Sequence, residues 1–361
     1  MQTSRAEQRV LVTGCDGYLG GVASVLLAAR GHQVSGLDTG YFNSGRFDCV
    51  KRFSSNATCA SAAASGALPA LGVMRKDVRD VTVQDLSGFD TVVHLAALSG
   101  TTEERPRWTH QINLEGALHL AYVARQAGIS RFLFSSSLSV YGEATEEKAT
   151  EFSLLAPTTV DGETKAKTEE GLERLASYDF SPIYLRIASA YGVASNMRLD
   201  LPLNAMVASA FCSREITISG NQWMPLIHAQ DIACAIASLL EAPREVIHNE
   251  AFNVGVESEN YHAVELAELV SEYVPGSRIQ KADAPKAASR RADFSKLCRL
   301  IPSFEASWTA RRGVAELLSA METAGLTSPE LPQYSRCAQI EQLVEGHELD
   351  QTLRWRLPPA A

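Results

Sequence analysis

The sequence predicts an α/β chain: a doubly wound parallel sheet carrying a smaller C-terminal lobe. Two observations predict it. Short apolar runs alternate with stretches of helical period through the first half, the pattern of βαβ units with helices on both faces of a sheet. The first apolar run also passes through a glycine-rich turn directly into a helix. The 361 residues, 45% of them hydrophobic, suffice for such a core and a second lobe.

The elements follow in order. Arg9 to Thr13 is a strand, Tyr18 to Arg30 a helix closed by Gly31, and Gln33 to Asp38 a second strand. Ser54 to Ala70, mostly Ala and Ser with Gly66 and Pro69, reads as a loop or excursion. Val73 to Lys76 and Thr91 to Leu95 are strands, with a short helix, Val81 to Leu86, between them. Trp108 to Ala127 has a long helical period, Arg131 to Ser135 is a strand, Glu163 to Ser177 an amphipathic helix, and Pro182 to Ile187 a strand. Shorter elements follow. Asp200 to Ser213, Ala229 to Leu240, His262 to Tyr273, Thr309 to Thr323 and Gln339 to Val344 read as helices, Ile216 to Ser219 and Pro225 to His228 as strands. The expected division is a dinucleotide-binding domain over 1–187, its sheet completed from within 225–255, a substrate lobe over 188–330 and a helical tail over 331–361.

Composition excludes several classes. Net charge is 33 − 42 = −9, against the basic face that phosphate backbones demand, so no nucleic-acid partner is expected. No apolar run reaches the ~20 residues of a membrane span, and Met1 to Gln8 is polar where a signal peptide would be apolar. Seven cysteines, with no CxxC pair, fit reduced thiols and a cytoplasmic protein, which makes the sequon Asn56-Ala57-Thr58 a chance match. None of the eight histidines pairs with Cys or a carboxylate at ligand spacing, so no metal site is expected.

The chemistry begins at Val10-Leu11-Val12-Thr13-Gly14-Cys15-Asp16-Gly17-Tyr18-Leu19-Gly20. Glycines between a strand and a helix let backbone approach a pyrophosphate, which then sits on the helix N-terminus. Asp38 ends the next strand, where a carboxylate accepts from a ribose 2′-hydroxyl and repels a 2′-phosphate, favouring NAD over NADP; alternatively it only opens the turn Asp38-Thr39-Gly40. Cys15 reads as a small residue packed under the loop, and His94 as a core residue.

Gly14, Gly17 and Gly20 give the GxxGxxG spacing, and further segments match in order: Lys76-Asp77-Val78-Arg79-Asp80, Val93-His94-Leu95-Ala96-Ala97, Asn113, Phe134-Ser135-Ser136-Ser137-Leu138-Ser139-Val140-Tyr141-Gly142, and Leu185-Arg186 before Tyr191-Gly192. Over roughly residues 9 to 320 the chain resembles the extended short-chain dehydrogenase/reductase family, nearest its sugar-nucleotide epimerase/dehydratase branch. The resemblance implies a Rossmann-type sheet, a small C-terminal substrate lobe, NAD as cofactor, and a homodimer formed through the helices 108–127 and 163–177. Implied cofactor contacts are Gly14, Gly17, Tyr18, Leu19, Asp38, Asp77, Val78, Leu95, Ala96, Ala97, Asn113 and Lys165. Toward the substrate it places Ser99, Ser137, Arg198 and Asn204.

The family moves a hydride from a sugar C–H to the nicotinamide while a Tyr, its pKa lowered by a Lys four residues on, removes the hydroxyl proton. Ser137 fills the family's Ser position and Lys165 its Lys position, but the Tyr position holds Asp161. A carboxylate ionises near 3.9 where a phenol ionises near 10, so it is a poor proton donor at neutral pH, and it is shorter. Asp161 is either catalytic or only a helix N-cap or i,i+4 partner of Lys165. Proton transfer then falls to Asp161, a water or a substrate group, with Tyr141 and Tyr191 as the nearest substitutes.

Ser137-Leu138-Ser139 lacks the acidic pair of 4,6-dehydratases, which argues against dehydration. Met224, in Trp223-Met224-Pro225-Leu226-Ile227-His228, stands where relatives carry a diphosphate-binding Arg; Arg290, Arg291 or Arg198 could replace it. The leading expectation is an NAD-dependent epimerase or oxidoreductase on a sugar nucleotide or sugar-derived intermediate. The alternative is an NAD-binding relative without redox turnover.

Overall fold

The computed structural model describes residues 7–42, 71–99, 105–143, 147–282 and 290–357; the loop expected over Ser54 to Ala70, the sequon and Cys49 and Cys59 lie outside these residues. The chain opens with β1 (Arg9–Thr13), α1 (Tyr18–Ala29), β2 (Gln33–Asp38), β3 (Gly72–Arg75) and β4 (Thr91–His94). A helical run follows: α2 (Pro106–Thr109), a π-helical stretch His110–Gly116 and α3 (Ala117–Gln126). Then come β5 (Arg131–Ser137), α4 (Val160–Leu175) and β6 (Ser181–Ile187).

The second half contains β7 (Ser189–Tyr191), α5 (Pro202–Ser213), β8 (Glu215–Ile218), β9 (Trp223–His228), α6 (Ala229–Glu241), α7 (Arg244–Ile247) and β10 (Glu250–Val254). It closes with β11 (Asn260–His262), α8 (Ala263–Tyr273), β12 (Arg278–Lys281), α9 (Ser295–Leu300), α10 (Ala310–Ala324) and α11 (Arg336–Glu345).

Seven parallel strands form the main sheet in the order β10-β6-β5-β4-β1-β2-β3. Both faces are covered, and successive β1 residues show why. Val10 and Val12 join a core with α1 and α6 on one face. Leu11 joins Val92, Phe132 and α3 on the other. Such strands read as continuous apolar runs rather than alternating ones. The strand order reverses between β1 and β4, and the crevice at their carboxyl ends is where open α/β sheets bind ligands. A separate core gathers α5, β8, α8 and α10 around Leu203, Ile216, Leu266 and Leu317.

Three local features set the site. The helix expected over Val81 to Leu86 is absent; a 3-10 turn, Val78–Asp80, is followed by plain turns. Asp85 accepts from the backbone and hydroxyl of Thr82 (2.7 and 2.8 Å) and pairs with Lys76 (2.5 Å), and such local side-chain bonds compete with helix. Second, the buried Arg186–Glu169 pair (2.7 Å) ties α4 to β6, and Ser136 donates to the same carboxylate at 2.5 Å. Third, the C-terminal tail folds back over the sheet's mouth: Ile340, Leu349 and Leu353 pack against Tyr41, Leu98, Trp108 and Ile112.

Candidate active site

The glycine turn is built by close contact. A Cβ on Gly14, at φ +70, would lie 2.8 Å from the Ala96 nitrogen, and one on Gly20 would lie 1.9 Å from the Gly14 carbonyl oxygen. No side chain caps α1 at Gly17, and its first turn carries no acid, so the first-turn N–H groups face the groove. Asp38 accepts from Gly40 N (2.8 Å) and Asp16 N (3.0 Å), so it both opens the turn and holds the glycine loop. Burial pushes its carboxyl above the usual carboxylate range. Cys15, Asp16 and Asp38 bring ligand-type atoms within 4.8 Å of one another, the one such trio among the described residues. The Cys15 thiol is pushed up to about 12 by burial and the two carboxylates, so it is held as an inert thiol.

A cavity of about 360 Å³ runs from this turn to the end of β5. Gly14, Gly17, Tyr18, Leu19, Asp38, Asp77, Val78, Leu95, Ala96, Ala97, Ser99, Ser137, Asp161, Lys165 and Arg198 all line it. Two expected contacts do not. Asn113, from the π-helical stretch, accepts from Leu98 N (2.7 Å) and donates to Leu98 O (2.8 Å), holding the loop after β4 from behind. Asn204 is fully buried, accepting from Gly192 N (3.1 Å) and donating to Arg198 O (2.9 Å), so it organises the lobe and not a substrate. Arg198 is gripped by Asp200 at 3.0 and 2.8 Å.

A second cavity, about 580 Å³, opens on the lobe side and shares Ser137, Ile187, Ala188 and Ser189 with the first. Its walls include Met224, Trp223, Ser139 and Arg290. Arg290 donates to Gly142 O (2.6 Å) and Leu138 O (2.8 Å), which fixes the β5 loop and leaves the guanidinium at the cavity wall. Arg291 instead lies over the Trp223 ring and faces Glu147, outside both cavities.

Where the cavities meet, Ser137 accepts from Ser139 N at 3.1 Å, and among the described residues nothing accepts its hydroxyl proton. Lys165 donates to Ser135 O at 2.6 Å and lies over Phe134; burial pulls its pKa down, while Asp161 and Glu169 hold it up. Asp161 accepts from Ser139 Oγ at 3.2 Å. It is not the N-cap: Thr159 caps α4, accepting from Gly162 N at 3.1 Å. Neither tyrosine substitute reaches the site. Tyr141 donates to Asn253 (2.7 Å) and accepts from Arg186 (2.9 Å), its phenol pushed up to about 12 by burial. Tyr191 is fully buried beside His228, away from both cavities, its phenol raised further by burial.

Sequence reasoning missed Tyr41, Phe42 and Arg336 on the cofactor cavity and Ser139 at the junction. Ser139 stood inside a quoted motif; Arg336 comes from the tail, where no motif marks it.

The model of the NAD dependent epimerase/dehydratase family matches residues 10–255. The UDP-glucose 4-epimerase of Corynebacterium glutamicum is 30% identical over 302 residues, 78% of this chain and 84% of that protein. UDP-glucose 4-epimerase 4 of Oryza sativa subsp. japonica is 28% identical, covering 85% and 87%. Among solved structures, TunA, an NAD-dependent NDP-hexosamine 5,6-dehydratase, superposes with TM-score 0.74 at 20% identity over 88% of this chain and 98% of its own. MoeE5 in complex with UDP-glucuronic acid and NAD superposes with TM-score 0.72 at 23% identity over 88% and 99%. At those identities the structures show the shared fold.

Proposed function

The chain belongs to the NAD-dependent epimerase/dehydratase family, and from that premise we propose that it is an NAD-dependent epimerase or oxidoreductase acting on a sugar nucleotide, with an atypical proton-transfer group. The glycine cradle, which a Cβ at Gly14 or Gly20 would fill, fits the dinucleotide, as does the carboxylate of Asp38. When bound, NAD supplies a nicotinamide that takes and returns a hydride.

The carrying observation is the meeting of two cavities at Ser137, with Asp161 and Lys165 on one side and Arg290 on the other. Ser137 donates to the reacting hydroxyl oxygen, Asp161 takes its proton directly or through a water, and Lys165 anchors the nicotinamide ribose. Arg290 faces the phosphate end of the substrate, in place of the charge that Met224 lacks. The test is a cofactor spectrum. Adding UDP-glucose or UDP-glucuronic acid is expected to produce NADH absorbance, transient in rapid mixing where an epimer forms because the hydride is returned, and lasting where an oxidised product accumulates. No reduced cofactor with any nucleotide sugar would favour the non-redox alternative.

Supporting a homodimer are α3 and α4, which pack on each other through Leu118 and Gly171 while Tyr122 stands 53% exposed on α3. Light scattering at micromolar concentration is expected to give twice the chain mass; a monomer overturns this. We read 1–187 as the cofactor domain, 188–330 as the substrate lobe and 331–361 as the tail. A cytoplasmic location is supported by Cys15, Cys212 and Cys298, which stand as thiols outside any disulfide; no helix among the described residues is long and apolar enough to cross a membrane.

A further inference from the structure

Arg336 is buried to 3% exposure, and among the described residues no carboxylate stands within ion-pair distance of it. Its partners are neutral: Gln339 accepts at 2.9 Å, Asn196 O at 3.4 Å, and the guanidinium lies 4.1 Å over the Phe42 ring. Burying a cation with no ion-pair partner is costly, and here burial and the nearby Arg198 pull even this guanidinium down to about 10, against smaller opposing pulls from Asp200 and Asp38. Its position explains what it faces. Arg336 lines the cofactor cavity and not the lobe-side one. Asn196, its neighbour, donates to Asp16 O (2.7 Å) in the glycine loop and to Phe42 O (2.8 Å).

The tail that carries it is fastened across the same groove. Trp355 donates to Thr39 O (2.8 Å), Trp108 to Gln351 O (2.7 Å), and Arg79 to Thr352 O (2.8 Å), while Tyr41 donates to Leu353 O. These bonds lock the tail to the loops after β2 and β3 and to α2.

We propose that Arg336 is a pyrophosphate-binding residue, carried over the dinucleotide groove by the C-terminal tail, which straps the bound cofactor in place. The proposal rests on NAD being the cofactor. The dinucleotide's pyrophosphate supplies the missing anion, and charge-assisted contacts to phosphate are among the stronger polar interactions.

Calorimetric titration of the full chain separates the possibilities. Wild type, R336M and R336K are titrated with ADP-ribose, which carries the pyrophosphate, and with adenosine, which does not. R336M is expected to weaken ADP-ribose and NAD by about 10–100-fold and leave adenosine unchanged, with R336K recovering part of the loss. Ligand-free R336M is expected to melt no lower than wild type, because the substitution removes a buried charge that has no ion-pair partner. Equal loss for adenosine, or a lower ligand-free melting temperature with unchanged ADP-ribose affinity, would assign Arg336 a structural role and overturn the proposal. So would unchanged ADP-ribose affinity alone. If wild type binds neither NAD nor ADP-ribose, it is the functional reading that fails.

Discussion

Asp161→Asn is expected to lower kcat by about 10²–10⁴-fold, the usual worth of a general acid–base group, while NAD affinity is unchanged. Asn keeps the shape and can still accept from Ser139 Oγ, but it cannot take a proton. The site leaves little else for the role. Tyr141 and Tyr191 are buried in other networks, and Lys165 is engaged with Ser135 O. Asp161→Tyr is the complementary change. A phenol on the first turn of α4 would stand beside Lys165 and Ser137, and a neighbouring cation lowers a phenol's pKa toward the range where a base works best. Faster cofactor reduction in single turnover is therefore expected from Asp161→Tyr than from wild type. Full activity in Asp161→Asn would move proton transfer to Lys165 or a water.

Much of this was legible in the chain, for identifiable reasons. The central parallel strands are buried on both faces, so β1, β4 and β6 stand out as apolar runs, and α1 ends where Gly31 takes φ +92. Gly14, Asp38, Ser137, Asp161 and Lys165 occupy strand ends or the first two turns of a helix, and the sheet brings those ends together at one crevice. What stayed hidden depends on long-range contact. β11 and β12, which pair with β9 and β8, are short polar segments with little periodicity. Asn204 and Asn113 are polar residues spent on backbone groups, which sequence cannot distinguish from residues spent on a ligand. Arg336 matters only because the tail returns to the groove, and no local pattern encodes that return.

Between pH 6.5 and pH 3, His94 alone is expected to remove about 5 kcal/mol of folding stability. The ring is 1% exposed at the end of β4, between Phe132 and Phe134, with Nδ1 2.7 Å from Thr13 Oγ1 and no partner for Nε2 among the described residues. Burial, and to a smaller degree the Lys165 cation, pulls its pKa from 6.5 down to about 3. Over that window the unfolded chain binds a proton that the folded chain refuses, so stability falls as pH falls, by about 1.4 kcal/mol per pH unit. Above pH 6.5 the imidazole is neutral in both states and the effect is gone. Asp38, Glu151, Asp231 and Glu259 work the other way: burial raises their carboxyls, so the folded state takes up protons earlier and gains as pH falls. The measured slope of wild type is therefore a sum, and a difference isolates the histidine. Urea unfolding of wild type and His94→Asn across this pH range is expected to show slopes differing by about 1.4 kcal/mol per pH unit, with the variant flatter. Any constant cost of the substitution shifts the variant's curve without changing its slope, so parallel curves would overturn the assignment. Such a result would mean that the folded protein admits His94's proton as readily as water does.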